Sequence, residues 1–200
     1  MADEERRLVE AAQRGDIEDF NTLVRIYEGR VYNLCYRMMG DADSAADAAQ
    51  NAFLSAFRNL HSFRGGSFRS WMLRIATNAC YDLLRAKKRR PTTSLDLDTD
   101  DEDISSPLQI SDSSETPDEF ALRRELATAI HQSLAKLPED QRLVLILSDI
   151  QGLAYDEIAQ VTNANLGTVK SRLSRGRARL RALLKEGELL PSRYRHEPES

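Results

Sequence analysis

The sequence predicts an all-α protein made of two small helical domains that are joined by a flexible acidic linker. Apolar residues recur at helical spacing through most of the 200 residues, and no segment has the alternation expected of a β-strand. Charge is segregated: residues 61–90 carry eight Lys or Arg and one acidic residue, whereas residues 91–119 carry ten Asp or Glu and no Lys or Arg. Such a shift in composition indicates a boundary between domains.

We expect a first domain over residues 1–90 and a linker over residues 91–117. A second domain with a helix-turn-helix follows over residues 118–186, and residues 187–200 form a loose tail. The linker is rich in Asp, Ser and Thr and has few large apolar residues, so it lacks the material for a core. It is either a plain spacer or an acidic strand that imitates nucleic acid in a basic channel, and its charge fits both.

The first domain begins with two predicted helices. Gly15 closes a short helix over Glu5–Arg14, and Asp16 caps a second helix that runs to about Met39.

Two further helices complete the first domain. Asp43 or Ser44 is expected to cap a helix over Ala45–Leu60, and Ser67 to cap one from Phe68 to about Lys87. The spacing in the earlier of these helices predicts a core stripe of Ala46, Ala49, Phe53, Phe57 and Leu60.

One stripe of the fourth helix mixes aromatic rings, cations and an amide: Trp71, Arg74, Asn78, Tyr81 and Arg85. Rings can stack on unpaired bases, and cations can hold phosphates. Packing of Trp71 and Tyr81 into the core is the alternative. The basic end of the helix, residues 87–90, is expected to hold phosphate.

The second domain opens with a helix capped by Asp118 that runs to about Lys136, followed by another that starts near Pro138. The stretch Ala154–Lys185 then predicts a helix-turn-helix. A short helix over Tyr155–Thr162 ends at Asn163, a residue type that tolerates the left-handed conformation of a helix end.

The second helix of this motif starts near Leu166–Thr168 and is strongly basic. Seven Lys or Arg and no Asp or Glu lie between Gly167 and Lys185. Its apolar face is predicted to comprise Leu166, Val169, Leu173, Leu180 and Leu184. Its other face carries Thr168, Ser171, Arg172, Arg175 and Arg179, with Lys170 and Arg177 at the sides. A helix of this kind either enters a DNA major groove or is only a solvated face.

The composition argues against a metalloprotein, a disulfide-bonded protein and a membrane protein. Cys35 and Cys80 lie in apolar helical patterns and are expected to be buried free thiols. The three histidines lie far apart in the sequence, so we expect no metal, and we expect no cofactor. The N-terminus has no signal-peptide core and no apolar run approaches a membrane span, so we expect a cytoplasmic protein without membrane insertion.

Four motifs, in order, carry a resemblance to a known family. They are DADSAADAAQNAFLSAFRNL, FRGGSFRSWMLRIATNACYDLLR, LPEDQRLVLILSDIQGLAYDEIAQ and GTVKSRLSRGRARL. Together, over about residues 16–90 and 118–185, the chain resembles a bacterial RNA polymerase sigma factor of the extracytoplasmic-function (ECF) group.

The resemblance implies a subunit that confers promoter specificity and has no active site of its own. Its partners would be the clamp of core RNA polymerase, promoter DNA in duplex and single-stranded form, and an anti-sigma factor. The first domain would recognise and open the minus-ten element, and the second would recognise the minus-thirty-five element. The linker resembles the segment that lies near the RNA path inside the polymerase.

The expected site residues follow from these motifs by position. The polymerase-binding set is Asp47, Gln50, Asn51, Phe53 and Leu54. The minus-ten set is Phe63, Arg64, Trp71, Arg74, Ile75, Asn78, Tyr81 and Arg85. The minus-thirty-five set is Thr168, Lys170, Ser171, Arg172 and Arg175; Lys170, Ser171 and Arg175 fall on positions of the family, and the other two lie on the same helical face.

Two alternatives come from other classes. A stand-alone transcriptional regulator would bind duplex DNA without polymerase, at a palindrome if it is a dimer. A hydrolase acting on nucleic acid would need a carboxylate pair, an activated nucleophile or a phosphate-binding glycine loop, none of which the sequence contains.

Overall fold

The computed structural model of the chain describes residues 2–89 and 116–186, and every regular element in those ranges is helical. The helices are α1 (Ala2–Gln13), α2 (Ile17–Met39), α3 (Ala42–Asn59), α4 (Phe68–Arg89), α5 (Pro117–Ala135), α6 (Glu139–Leu145), α7 (Tyr155–Thr162) and α8 (Leu166–Glu186). A 3-10 turn, Leu60–Ser62, follows α3, and a π-helical turn, Ile146–Ile150, follows α6. The all-α prediction is confirmed.

The predicted linker and tail lie almost entirely outside the described residues. Of the linker, only residues 116 and 117 belong to the described range, and none of residues 187–200 does. Within residues 2–89 and 116–186, none of the helices has both the length and the apolar character needed to cross a membrane.

The start of α2 confirms its prediction, whereas the start of α3 does not. Asp16 Oδ1 accepts hydrogen bonds from the backbone N–H groups of Glu18 and Asp19. The cap of α3 is Asp41, whose Oδ1 accepts from Ser44 N at 2.8 Å, so the prediction of Asp43 or Ser44 was wrong. Gly40 ends α2 in the left-handed conformation, and the chain therefore reverses early enough for Asp41 to begin the next helix.

The start of α5 also differs from the prediction. Thr116, and not Asp118, is the N-cap. Thr116 Oγ1 accepts from Glu119 N at 3.4 Å, and Glu119 Oε2 accepts from Thr116 N at 3.0 Å. This reciprocal pair is a capping box, which satisfies the backbone N–H groups of both Thr116 and Glu119.

The core face of α3 is rotated from the predicted stripe. Ala46 is exposed and Phe57 keeps half of its surface in solvent, so both were wrongly assigned to the core. The buried face is instead formed by Ala45, Ala48, Ala49, Ala52 and Ala56. Because these side chains are short, α3 can lie close against α2 and α4. Phe57 covers the rim, where its ring meets that of Phe20 edge to face at 5.0 Å.

Cys35 of α2 and Cys80 of α4 are completely buried free thiols, as expected. They lie beside each other, and the neighbouring thiol together with burial raises the pKa of Cys35 far above its usual value. Both are therefore packing residues.

The N-terminal helices α1–α4 and the C-terminal helices α5–α8 pack against each other. Helix α2 meets α5 and α6, while α4 meets α7. His131 stacks on the ring of Tyr36 at 4.4 Å and its Nε2 lies 3.3 Å from Gly40 O. Gln151 Nε2 donates to Arg30 O at 3.1 Å. These contacts form what we call the junction between the two halves.

Arg142 of α6 is the most heavily bonded residue of this junction. Its guanidinium donates to Met38 O at 2.7 Å, to Leu137 O at 3.1 Å and to Ala135 O. These carbonyls belong to the ends of α2 and α5, where no intrahelical donor is available. Only 8% of Arg142 is exposed, and burial lowers its pKa.

We expect Arg142→Met to lower the free energy of unfolding by about 3 kcal/mol, because it leaves buried carbonyls without a donor. Arg142→Lys should restore part of the loss, since an ammonium lacks the planar fork of a guanidinium. Chemical denaturation followed by circular dichroism measures both. Arg124→Met, on the exposed face of α5, is the matched control. Equal losses for Arg142→Met and the control would contradict the assignment.

Candidate nucleic-acid interface

Helices α7 and α8 form a helix-turn-helix, and their core is local in sequence. Val169 and Leu173 of α8 pack with Ile158 and Val161 of α7, and all four side chains are buried. Leu166, in contrast, is 47% exposed, so its predicted place in the apolar face was wrong. It is the first residue of α8.

The turn between the two helices is stabilised by two asparagines. Asn163 ends α7 in the left-handed conformation, at φ 49° and ψ 45°, as predicted. Asn165 Oδ1 accepts from Thr168 N at 2.8 Å and so caps the start of α8. Both side chains suit their positions because Asn tolerates positive φ and is a strong N-cap.

The outward face of α8 carries the residues expected to contact duplex DNA. Lys170 and Arg175 are exposed, and Thr168 and Ser171 are partly buried. Arg175 Nη2 donates to Ser171 Oγ at 3.2 Å, which holds the guanidinium along the helix face. No acidic side chain in the described ranges pairs with Lys170 or Arg175.

Two other arginines of α8 are held by acids of their own half. Arg172 Nε lies 2.9 Å from Asp140 Oδ2 of α6, so this predicted DNA contact is an ion pair here. Arg177 donates two hydrogen bonds to Asp149 in the π-helical turn, at 2.6 and 3.0 Å. The bond from Arg177 lowers the pKa of the Asp149 carboxyl. These pairs fix α8 on the rest of its half.

The second candidate surface is the loop before α4 together with the start of that helix. Phe63, Phe68 and Trp71 form an aromatic cluster with ring centroids 5.4 to 5.5 Å apart. Trp71 is only 9% exposed, so in this conformation its ring packs in the core and does not face solvent. Ser67 Oγ accepts from Ser70 N at 3.1 Å, which confirms the predicted cap.

The remaining residues of the predicted minus-ten set lie along α4 and its loop. Arg64, Arg74, Asn78 and Arg85 are exposed, while Ile75 and Tyr81 are partly buried. Arg85 pairs with Asp82 one turn before it, at 2.9 Å. The basic end of α4 is also paired: Lys87 Nζ lies 3.0 Å from Asp41 Oδ2, and Lys88 Nζ lies 2.8 Å from Glu139 Oε1.

A cavity of about 330 Å³ lies between this loop and helix α7, which forms one of its walls. Its walls are residues 62–67, Ser70, Trp71 and Arg74 on one side and Glu157, Gln160 and Val161 on the other. Ser70 Oγ donates to Glu157 Oε1 at 2.7 Å. Glu157 Oε2 accepts from Ala154 N at 3.0 Å and lies 4.0 Å from Arg69 Nη2.

Glu157 is not among the site residues predicted from the sequence. The Ser70 hydrogen bond is the largest cause that lowers the pKa of its carboxyl, so the anion is favoured at the start of α4. One local signal was present, because a Glu three residues into a helix often accepts from the N-cap backbone. The contact with Ser70 joins positions 87 apart and has no local signal.

The predicted polymerase-binding residues lie together on α3. Asp47, Gln50 and Asn51 are exposed, Leu54 is 47% exposed and Phe53 is partly buried. The structure thus brings Asp47, Gln50, Asn51 and Leu54 to one outward surface, opposite the buried alanines, whereas Phe53 packs against the core.

Comparison with known proteins identifies the family. Residues 23–90 match the model of Sigma-70 region 2, and residues 127–180 match that of Sigma-70, region 4. The RNA polymerase sigma-H factor of Pseudomonas aeruginosa is 39% identical over 88% of this chain and 91% of its own. The chain is an ECF sigma factor. It accordingly serves promoter-directed transcription initiation with RNA polymerase and is not an enzyme.

Other relatives agree with this assignment. The ECF RNA polymerase sigma factor SigW of Bacillus subtilis is 36% identical over 90% of this chain and 97% of its own. Among solved structures, CnrH in complex with the cytosolic domain of CnrY is 28% identical, with a TM-score of 0.65. That match covers 92% of this chain and 98% of CnrH. The ECF sigma factor described here therefore shares its fold with a solved protein over nearly its full length.

Proposed function

We propose that this sigma factor contacts its promoter at two separate surfaces. Helix α8 would recognise the minus-thirty-five duplex through Lys170, Ser171 and Arg175, with Thr168 and Arg172 beside them. The loop at Phe63 and Arg64 and the face of α4 would capture the opened minus-ten strand. The observation that carries the proposal is the helix-turn-helix of α7 and α8, whose outward face presents Lys170 and Arg175 without an acidic partner among the described side chains.

We further propose that the exposed surface of α3 binds the polymerase clamp and that the chain works in the cytoplasm. An aliphatic side chain ringed by carboxylate and amide groups, as Leu54 is here, suits a protein interface. The decisive experiment adds the purified chain to core polymerase and sequences the 5′ ends of the transcripts. Defined start sites that core polymerase alone does not produce are expected; unchanged start sites would overturn the proposal.

An anti-sigma partner is also part of the proposal. CnrH is in complex with the cytosolic domain of CnrY, and the Bartonella quintana sigma factor RpoE is in complex with the anti-sigma factor NepR. A protein that binds the packed arrangement of the two halves would keep α7 over the minus-ten surface. Such a partner would inhibit initiation without touching either DNA-facing helix.

Promoter binding requires the two halves to separate. The two promoter elements lie about 25 base pairs apart, which at about 3.4 Å per base pair is roughly 85 Å. A compact body of about 160 residues has a radius of gyration of only about 15 Å. The 26 residues between Arg89 and Thr116 could span about 90 Å when fully extended, so the chain length permits an open form.

We expect Arg175→Ala to change the preference at a single position of the minus-thirty-five element. A bidentate contact to a guanine edge discriminates by about 1–3 kcal/mol, so the wild-type preference should drop about tenfold. Run-off transcription from promoters that carry each base in turn measures this. Arg181→Ala, exposed on the same helix, is the matched control. A uniform loss on all templates would instead make Arg175 a phosphate contact.

We expect Glu157→Gln to increase binding of the minus-ten single strand by the free protein, by about fivefold. The substitution keeps the size of the side chain but weakens the bond from Ser70 that holds α7 over the cavity. Fluorescence anisotropy with a labelled non-template strand measures the affinity. Asp156→Asn, exposed on the same helix, is the charge-matched control. Equal affinities for Glu157→Gln and wild type would show that α7 does not compete with the strand.

The same contact has a defined pH dependence. Because the pKa of the Glu157 carboxyl is lowered, its contribution is fully present above the usual carboxyl pKa. It is lost as the pH falls through the lowered value. We therefore expect the wild-type protein to bind the single strand more tightly as the pH falls. The Asp156→Asn protein should show the same gain in affinity, and the Glu157→Gln protein should not.

A further inference from the structure

Gln13, the last residue of α1, is bonded to the turn that leads into the minus-ten loop. Its Nε2 donates to Leu60 O at 2.9 Å and to Phe63 O at 2.9 Å, so both amide hydrogens are used. The two carbonyls lie at the two ends of the 3-10 turn that follows α3. Leu60 O also accepts from Phe63 N at 3.1 Å within the turn, and Gln13 adds donors to Leu60 O and Phe63 O from another helix.

The helix that carries Gln13 is itself firmly placed. Leu8, Val9 and Ala12 of α1 are buried against the rest of the N-terminal half. Tyr27 of α2 donates a hydrogen bond to Glu5 near the other end of α1. The position of the Gln13 amide is therefore set by helix packing, so it can in turn fix a loop.

The loop that follows Phe63 has little packing of its own. Gly65 and Gly66 have φ of 95° and 88°, and a Cβ added to either would meet no other atom within 4 Å. Because the space beside both Cα atoms is open, contacts with neighbouring side chains do not define the path of the backbone there. The path is defined at its two ends, by the Ser67 cap on one side and by Phe63 on the other.

Phe63 connects Gln13 to the cavity. Its carbonyl accepts from Gln13, while its ring lies against Phe68 and Trp71 in the wall of the cavity. A shift of the Phe63 backbone would move both the ring and the first residue of the loop, Arg64. The shape that a captured base meets therefore depends on the Gln13 amide.

We infer that Gln13 is a positioning residue for base selection at the minus-ten element. It acts through the carbonyls of Leu60 and Phe63 and contacts no DNA. The inference rests on the proposed function of the loop. Gln13 lies before residues 23–90, so part of the base selectivity would be set by a segment outside the match to Sigma-70 region 2.

The test uses holoenzyme assembled from core polymerase and the full chain. A promoter mapped with the wild-type protein is varied to all four bases at each minus-ten position, and run-off transcripts are quantified. Gln13→Glu keeps the length of the side chain but removes both donors at neutral pH. Gln132→Glu, exposed on α5, adds the same charge far from the loop and is the matched control. Gln13→Lys restores donors.

We expect Gln13→Glu to reduce the preference between bases at one or two minus-ten positions by roughly tenfold. The preference at the minus-thirty-five element and the melting temperature should stay at control values, and Gln13→Lys should recover much of the lost preference. Unchanged preferences, or a lower melting temperature with an equal loss on every template, would overturn the inference. A wild-type holoenzyme without any preference at the minus-ten positions would overturn the proposed function of the loop instead.

Discussion

The arrangement of the whole molecule depends on the buried guanidinium of Arg142. Helix ends carry unpaired carbonyls and negative partial charge, and Arg142 serves the ends of α2 and α5 at once. Burial lowers its pKa, yet the ordinary value for Arg is so high that the group stays charged. Helix α2 packs against α3 and α4, and α6 packs against α8, so this one side chain connects the helices that carry the two surfaces proposed to bind DNA.

The three hydrogen bonds of Arg142 would respond differently to separation of the two halves. Those to Ala135 and Leu137 lie within the C-terminal half and persist, whereas the bond to Met38 joins the halves. Water can hydrogen-bond both the guanidinium and Met38 O after separation, because an exposed charged donor and an exposed carbonyl are readily solvated. The junction also relies on polar contacts of Ser70 and Gln151 that water can replace. Opening, as proposed, would break these polar contacts and also the apolar contacts of the core that the two halves share.

The sequence was informative where structure is local. The left-handed Asn163 and the buried Val169 and Leu173 follow from spacing within one motif. The core face of α3 was misassigned because alanines lie on several faces of this helix. Helical periodicity therefore could not distinguish the buried alanine face from the face that carries Phe57. The site was only partly predictable: the exposed positions of Lys170 and Arg175 followed from helical spacing. The contact of Glu157 with Ser70 depends on packing between distant segments, which no local pattern encodes.

The ion pairs distinguish the cationic side chains that stabilise the fold from those that are available to bind DNA. On α8, Arg172 and Arg177 are paired with acids of the same half, whereas Lys170 and Arg175 have no acidic partner in the described ranges. On α4, Lys88 pairs with Glu139 across the junction. If the end of α4 holds phosphate, as the sequence predicts, DNA competes with Glu139 for Lys88, and the phosphate that binds this lysine also weakens the junction. Opening and strand capture are then linked through one side chain, so DNA can favour the open form without a separate trigger.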